Sequence, residues 1–176
     1  MKSFSAISLA AVCCLLGGAA VLHGSSPPSR AVSGVHRDIP GSYPDYPDGV
    51  LTPGAVRTTD RASICNTATS TIRFVSASTK RAVYNRYGLD PYHHEPCEVD
   101  HLISLELGGS NDVSNLWPQH YSEPWGAHDK DVLENTLHRF IVAGHDDEGR
   151  AYSVQQAQHD IATDWVGAYK KYVKRE

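Results

Sequence analysis

The stretch of residues 98–119, EVDHLISLELGGSNDVSNLWPQ, constrains the fold of this 176-residue chain more than any other. CEVDHLIS has apolar Val99, Leu102 and Ile103 and predicts a β-strand. The turn-forming residues of LGGSND follow, and NLW predicts a short returning strand. The stretch therefore predicts a strand, a turn and a second strand in sequence.

Helices are predicted after this unit. AHDKDVLENTLHRFIVAG ends at Gly144 and carries one apolar stripe, formed by Leu133, Leu137, Phe140 and Ile141. Ser153 and Gln156 have the spacing of a capping box that opens a last helix. The inner face of that helix is predicted to consist of Ala157, Ile161, Trp165, Ala168 and Tyr172.

Two shorter elements are predicted before the central stretch. TIRFVS, residues 71–76, alternates in a way that favours a short strand. STKRAVYNRYG favours a short helix that ends at Gly88. The chain is therefore expected to be an α+β protein.

The N-terminal part of the chain predicts export. Residues 1–24 combine Lys2, an apolar run and a polar exit, which is typical of a secretory signal peptide, with an uncleaved anchor as the alternative. Residues 25–50 are rich in proline and predict an extended tether, so the folded domain is expected over residues 51–176. We expect a secreted or periplasmic protein with no membrane segment once the signal is removed.

Cys65 and Cys97 are the two cysteines that follow the predicted signal peptide. Export to an oxidising compartment favours a disulfide between them, and two buried thiols are the alternative. Neither cysteine belongs to a C-x-x-C pair, which argues against a zinc knuckle.

Asp100 and His101 are a carboxylate and an imidazole in adjacent positions, the two groups that metal-assisted hydrolysis needs. A carboxylate that holds a hard divalent cation, beside an imidazole that takes a proton from water, is the minimum for metal-assisted hydrolysis of a phosphodiester. Adjacent side chains of a strand point to opposite faces, so this pair serves one site only where the strand bends or ends.

The motif resembles that of the HNH endonucleases, also called His-Me finger or ββα-metal nucleases. The chain also resembles a family of small exported bacterial HNH nucleases in the stretches EVDHLISLELGGSN, NLWP, AHDKDVLENTLH and AQHDIATDW. The likeness covers roughly residues 51–173. It implies a ββα-metal core with flanking helices, and an endonuclease that cuts DNA, with RNA as a second substrate.

The resemblance also implies roles for single residues. His101 would be the general base, Asp100 a ligand of one divalent ion, Mg²⁺ before Mn²⁺, and Asn115 the residue that ties the two strands together. The third position, a metal ligand on the helix, stays open: His128 is preferred to Asn135, with Glu134 as a further alternative.

A net charge of −4 indicates no overall field that would attract a polyanion, but Arg73, Lys80 and Arg81 lie in a local basic cluster. The predicted disulfide would bring Cys65 next to Cys97, three residues before Asp100, so these three are expected to contact substrate phosphates at the rim of the site. The alternative from another class is a non-catalytic exported module that binds DNA or serves in adhesion on the same ββα fold.

Overall fold

The computed structural model describes residues 46–92, 97–122 and 124–173. The predicted signal peptide and most of the predicted tether lie outside these residues. The elements, in chain order, are α1 (Arg61–Asn66), α2 (Thr69–Ile72), α3 (Ala77–Arg86), β1 (Cys97–His101), β2 (Leu116–His120), α4 (Ala127–Ala143) and α5 (Val154–Tyr172). The protein is therefore of mixed α+β class, as predicted. None of the helices in the described ranges has the length and apolar character needed to cross a bilayer.

The two predicted strands form one antiparallel pair. Cys97 lies opposite His120, and His101 lies opposite Leu116 at the other end of the ladder. Since side chains alternate along a strand, Cys97 and His101 share one face of this sheet while Asp100 points to the other face.

The connection between the strands contains two single 3₁₀ turns, Leu105–Leu107 and Val113–Asn115. Gly108 ends the first of them in the left-handed region, with a φ of 87°. Gly109 follows, and a Cβ atom there would lie 1.8 Å from the carbonyl oxygen of Ile103. The Gly-Gly pair is thus required because the chain turns back against its own backbone directly after β1.

Helices α4 and α5 pack together and form most of the main hydrophobic core. The predicted stripes are confirmed, because all nine predicted inward residues of these helices are buried. Ser153 caps α5 by accepting a hydrogen bond from the Gln156 backbone N–H, and Gly144 ends α4 in the left-handed region. Each fully buried Leu or Ile contributes about 1.5 to 3 kcal/mol, so this pair holds α4 firmly in place beside the sheet.

α3 packs on the sheet separately from this core, where Tyr84 and Cys97 belong to a small second cluster. The prediction of this helix is confirmed, with Ser76 accepting a hydrogen bond from the Thr79 backbone N–H as its N-cap. Since Cys97 shares its sheet face with His101, α3 lies on the face to which His101 points.

The strand predicted at residues 71–76 is wrong. Thr69–Ile72 instead forms one helical turn, closed by a bond from Arg73 N to Thr69 O of 2.9 Å. Thr71 reinforces the turn by donating its hydroxyl to Ala68 O. The alternating pattern fails here because a strand needs a neighbouring strand to bond with, whereas the local side-chain bond stabilises a turn.

The predicted disulfide between Cys65 and Cys97 is also wrong, since both residues are thiols in this structure. Cys65 is exposed on α1, which packs against α4 and the Leu105–Leu107 turn. Cys97 is buried in the α3 cluster, with its Sγ 3.8 Å from the Tyr84 hydroxyl. The two cysteines thus belong to different packing regions, whereas a bridge requires their Cβ atoms to face one another.

Candidate active site

Asp100 and His101 are the last two residues of β1, and each is held by a different part of the fold. The Asp100 side chain is 19% exposed and points to α4. His101 is buried on the opposite face, toward the segment that contains α2. The strand ends at His101, so the two side chains are adjacent at an edge of the sheet.

The orientation of the His101 ring is set by Asn111. The amide Nδ2 of Asn111 donates to the carbonyl oxygen of Ile72 at 2.8 Å, and its Oδ1 lies 2.9 Å from His101 Nε2. A backbone carbonyl can only accept a hydrogen bond, so Asn111 must place its NH₂ group toward Ile72 and its oxygen toward the imidazole. The neutral ring therefore carries its proton on Nε2.

His101 Nδ1 is consequently the nitrogen with a free lone pair. It has no hydrogen-bond partner among the residues that the structure describes. Burial lowers the pKa of His101 below 6.5, and the charges of Arg73 and Lys130 lower it further. The hydrogen bond to Asn111 and the charge of Asp100 raise this pKa, but they do not outweigh burial. A neutral imidazole with one open nitrogen near pH 7 has the properties of a general base.

Substitutions of Asn111 are expected to change the pH profile of any activity that uses His101 as a base. Activity should fall as the pH drops through the lowered pKa of His101. Asn111→Leu removes a hydrogen bond that raises this pKa, so the acid limb of the pH–activity profile should move to lower pH. The kcat of this variant should also be lower by about 10-fold, because the tautomer of His101 is no longer fixed. Asn111→Asp places a carboxylate beside the ring, so the limb should move to higher pH. Acid limbs that coincide with that of the wild type in both variants would contradict this role for Asn111.

Asn115 holds the backbone that follows His101. The side-chain amide is fully buried and donates to Ile103 O and Ser110 O, both at 2.9 Å, while its oxygen accepts from Ile103 N at 3.0 Å. A longer bond of 3.3 Å joins the same oxygen to Ala55 N. Asn115 thus links the end of β1 to the Gly-Gly turn, and it acts on His101 through the backbone.

Lys130 of α4 brings the two motif residues together. The ammonium is fully buried and donates to Asp100 Oδ2 at 2.7 Å, to His101 O at 2.5 Å and to a carboxylate oxygen of Glu134. Burial alone would lower the pKa of Lys130, but Asp100 and Glu134 outweigh it and raise the pKa. Lys130 is therefore charged, and three oxygen acceptors satisfy its three N–H groups.

One oxygen of Asp100 is available as a ligand for a hard divalent cation. Asp100 Oδ1 has no partner among the described residues, because Lys130 takes only Oδ2. Burial raises the pKa of Glu98 and of Asp131, and in both cases the charge of Asp100 raises it further. These three carboxylates are close enough to repel one another, and a cation would relieve that repulsion. Mg²⁺ commonly uses one or two protein carboxylates and takes its remaining ligands from water and phosphate.

The three candidates for the third motif position have different surroundings. His128 is exposed, with Nδ1 4.0 Å from a carboxylate oxygen of Asp131. Asn135 is also exposed and donates its amide to Asp131 O, whereas Glu134 is drawn inward to Lys130. Within the described ranges, no group of three or more His, Cys, Asp or Glu side chains is arranged to hold a metal ion. The structure therefore brings Asp100 next to α4 without joining it to His128 or Asn135.

The predicted phosphate-binding residues are exposed on the segment that faces His101. Arg73 is close enough for its charge to lower the pKa of His101. Lys80 and Arg81 lie on the exposed part of α3, and none of the three forms an ion pair with a described residue. Of the three, Arg73 is thus the one whose charge reaches His101.

Two site residues, Asn111 and Lys130, are absent from the sequence-based prediction. Lys130 has a visible signal, since it precedes Leu133 by three residues and Leu137 by seven, which places it on the buried stripe of α4. A lysine on such a stripe needs carboxylate partners. Asn111 has no comparable signal, because its contact with Ile72 joins residues 39 positions apart.

Comparison of the chain with protein-family models, with curated proteins and with solved structures gave no significant match.

Proposed function

We propose that this protein is a metal-dependent, largely sequence-nonspecific endonuclease that hydrolyses phosphodiester bonds of DNA, with RNA as a second substrate. The observation that carries this proposal is the buried, neutral His101 with an open Nδ1, directly after Asp100, which has one free carboxylate oxygen, at the end of β1. In this interpretation β1, β2 and α4 form the ββα-metal core that the sequence resembles.

Each residue of the site has a part in the proposed reaction. Nδ1 of His101 accepts a proton from water as the water oxygen forms a bond to phosphorus, and the bond from phosphorus to the 3′ oxygen breaks. Asp100 would hold the divalent ion, which supplies stabilisation of the charge on the phosphate and on the leaving oxygen. Asn111 keeps the correct ring nitrogen unprotonated, and Lys130 fixes Asp100.

The charge distribution supports a polyanionic substrate. Residues 61–89 contain five basic residues and no acidic one, although the whole chain has a net charge of −4. Arg73, Lys80 and Arg81 in this segment have no carboxylate partner among the described residues. Such cations release counterions from a phosphate backbone when they bind it.

Reversal of two of these charges should weaken DNA binding. For Lys80→Glu with Arg81→Glu we expect a higher Kd and a slope of log K against log salt that is smaller by about 2, because each phosphate contact contributes about 0.9 to that slope. Fluorescence anisotropy across a salt series measures both. Lys170→Glu with Lys171→Glu changes the net charge equally and serves as the control. An unchanged affinity in the α3 variant would refute the proposed contacts.

Substrate profiling distinguishes this proposal from its alternatives. A nuclease should nick plasmid DNA in Mg²⁺, whereas a phosphodiesterase for small substrates should cleave only a small phosphodiester. A binding module of the same fold should retain DNA without cutting it. Retention of an open base next to a carboxylate favours the first, since a scaffold needs neither group.

A further inference from the structure

Phe74 is a large apolar side chain that the fold leaves outside its core. It is 77% exposed and lies in the short segment between α2 and α3. Only three phenylalanines occur in the chain, and Phe140, by contrast, is buried in the main core. A single exposed phenylalanine is common in proteins, so its meaning depends on what lies beside it.

The neighbours of Phe74 connect it to the candidate site. Two residues earlier, the carbonyl oxygen of Ile72 binds Asn111, which in turn binds the His101 ring. Two residues of chain span at most about 7 Å, so the backbone of Phe74 lies within that distance of an anchor of the site. The intervening Arg73 is exposed, and its charge acts on His101.

An exposed aromatic residue that directly follows an exposed arginine, with no ion pair to a described residue, suits one class of ligand. The guanidinium matches a phosphate, and the ring offers a face on which a nucleobase can stack. In a duplex the base faces are covered by neighbouring bases, so a stacking side chain needs a base that is unpaired. An apolar peptide would contact the ring but would leave the cation without a partner. The absence of Asp and Glu from residues 61–89 also favours a nucleic acid over a peptide.

We propose that Phe74 is a base-stacking residue which, together with Arg73 on the adjacent phosphate, gives the protein a preference for single-stranded over double-stranded DNA. This inference rests on the proposed nuclease function, since it places the unpaired nucleotide next to His101. It goes beyond that function by naming the form of DNA that the site holds.

Binding measured without cleavage tests the proposal. A fluorescent single-stranded oligonucleotide and the same sequence in a duplex are titrated in EDTA with wild type, Phe74→Ala and Phe74→Trp. Stacking on an aromatic side chain changes affinity by a factor of about 5 to 150. We therefore expect Phe74→Ala to weaken single-strand binding by at least about 5-fold and to leave duplex binding within about 2-fold of the wild type. Phe74→Trp should keep the wild-type ratio of single-strand to duplex affinity, because its indole ring also stacks on a base.

The control is Val142→Ala, which shortens another exposed apolar side chain, on α4, and should change neither affinity. An equal loss on both forms of DNA, or no loss on either, would overturn the inference. The measurement is of binding in EDTA, so it does not depend on cleavage. Failure of the protein to cut DNA would therefore refute the proposed nuclease activity without deciding the role of Phe74. Melting temperatures close to that of the wild type confirm that the variants are folded.

Discussion

His101→Ala is expected to lower kcat for DNA cleavage by about 10²- to 10⁴-fold, the usual contribution of a positioned general base. The structure gives the reason, because Asn111 holds the His101 ring and leaves Nδ1 without a partner among the described residues. KM should change little, since in the proposed mechanism the imidazole acts on water, while the cations of the α2 to α3 segment are proposed to hold the phosphates. Steady-state cleavage of a labelled oligonucleotide in Mg²⁺ measures both constants.

A matched histidine variant provides the control for this experiment. His159 is exposed on α5, and His159→Ala should keep wild-type activity. Because His101 is buried, the melting temperature of His101→Ala should be compared with that of the wild type, so that loss of folding is not taken for loss of the base. A folded His101→Ala variant with wild-type kcat would show that another group activates water.

Lys130→Met is expected to lower the free energy of unfolding by about 3 to 5 kcal/mol, because removal of one partner leaves buried charge uncompensated. Asp100 Oδ2, His101 O and the Glu134 carboxylate would all lose their shared donor. Part of the loss should be recovered in the double variant Lys130→Met with Glu134→Leu, in which the innermost carboxylate is also replaced by an apolar side chain. Urea unfolding followed by circular dichroism measures all three proteins.

An exposed ion pair of this chain supplies the comparison. Arg139 donates to Asp147 at 2.5 Å, and its side chain is 56% exposed. Arg139→Met should cost about 1 kcal/mol at most, because water screens such a pair. A loss for Lys130→Met as small as that for Arg139→Met would contradict the assignment of Lys130 as the buried cation that organises the site.

The parts of the fold that the sequence predicts well are those governed by local rules. Gly144 and Ser153 mark helix boundaries through their backbone geometry and capping, and the apolar residues of CEVDHLIS indicate β1. The strand predicted at residues 71–76 failed because local bonds at Thr71 outweighed the alternation. The disulfide failed because pairing depends on where α1 and α3 pack, which cysteine spacing does not reveal.

The candidate site divides in the same way. One short stretch of sequence contains Asp100, His101 and Asn115, so these three residues can be predicted together from a single motif. The predicted metal ligand on α4 is different, because the α4 side chain that reaches Asp100 in the structure is Lys130, two residues beyond His128. Helix periodicity places His128, Asp131 and Asn135 on one face, but the rotation of α4 against β1 is set by its packing with α5.

Plasmid cleavage by the purified protein, with Mg²⁺, Mn²⁺ or EDTA in parallel and His101→Ala beside the wild type, is the decisive experiment for the proposed nuclease activity. We expect nicking and linearisation with either metal, no cleavage in EDTA, and no cleavage above background for His101→Ala. Folded wild-type protein that leaves the plasmid intact with both metals would contradict the nuclease and favour a DNA-binding module. Cleavage that persists in His101→Ala would contradict the proposed base.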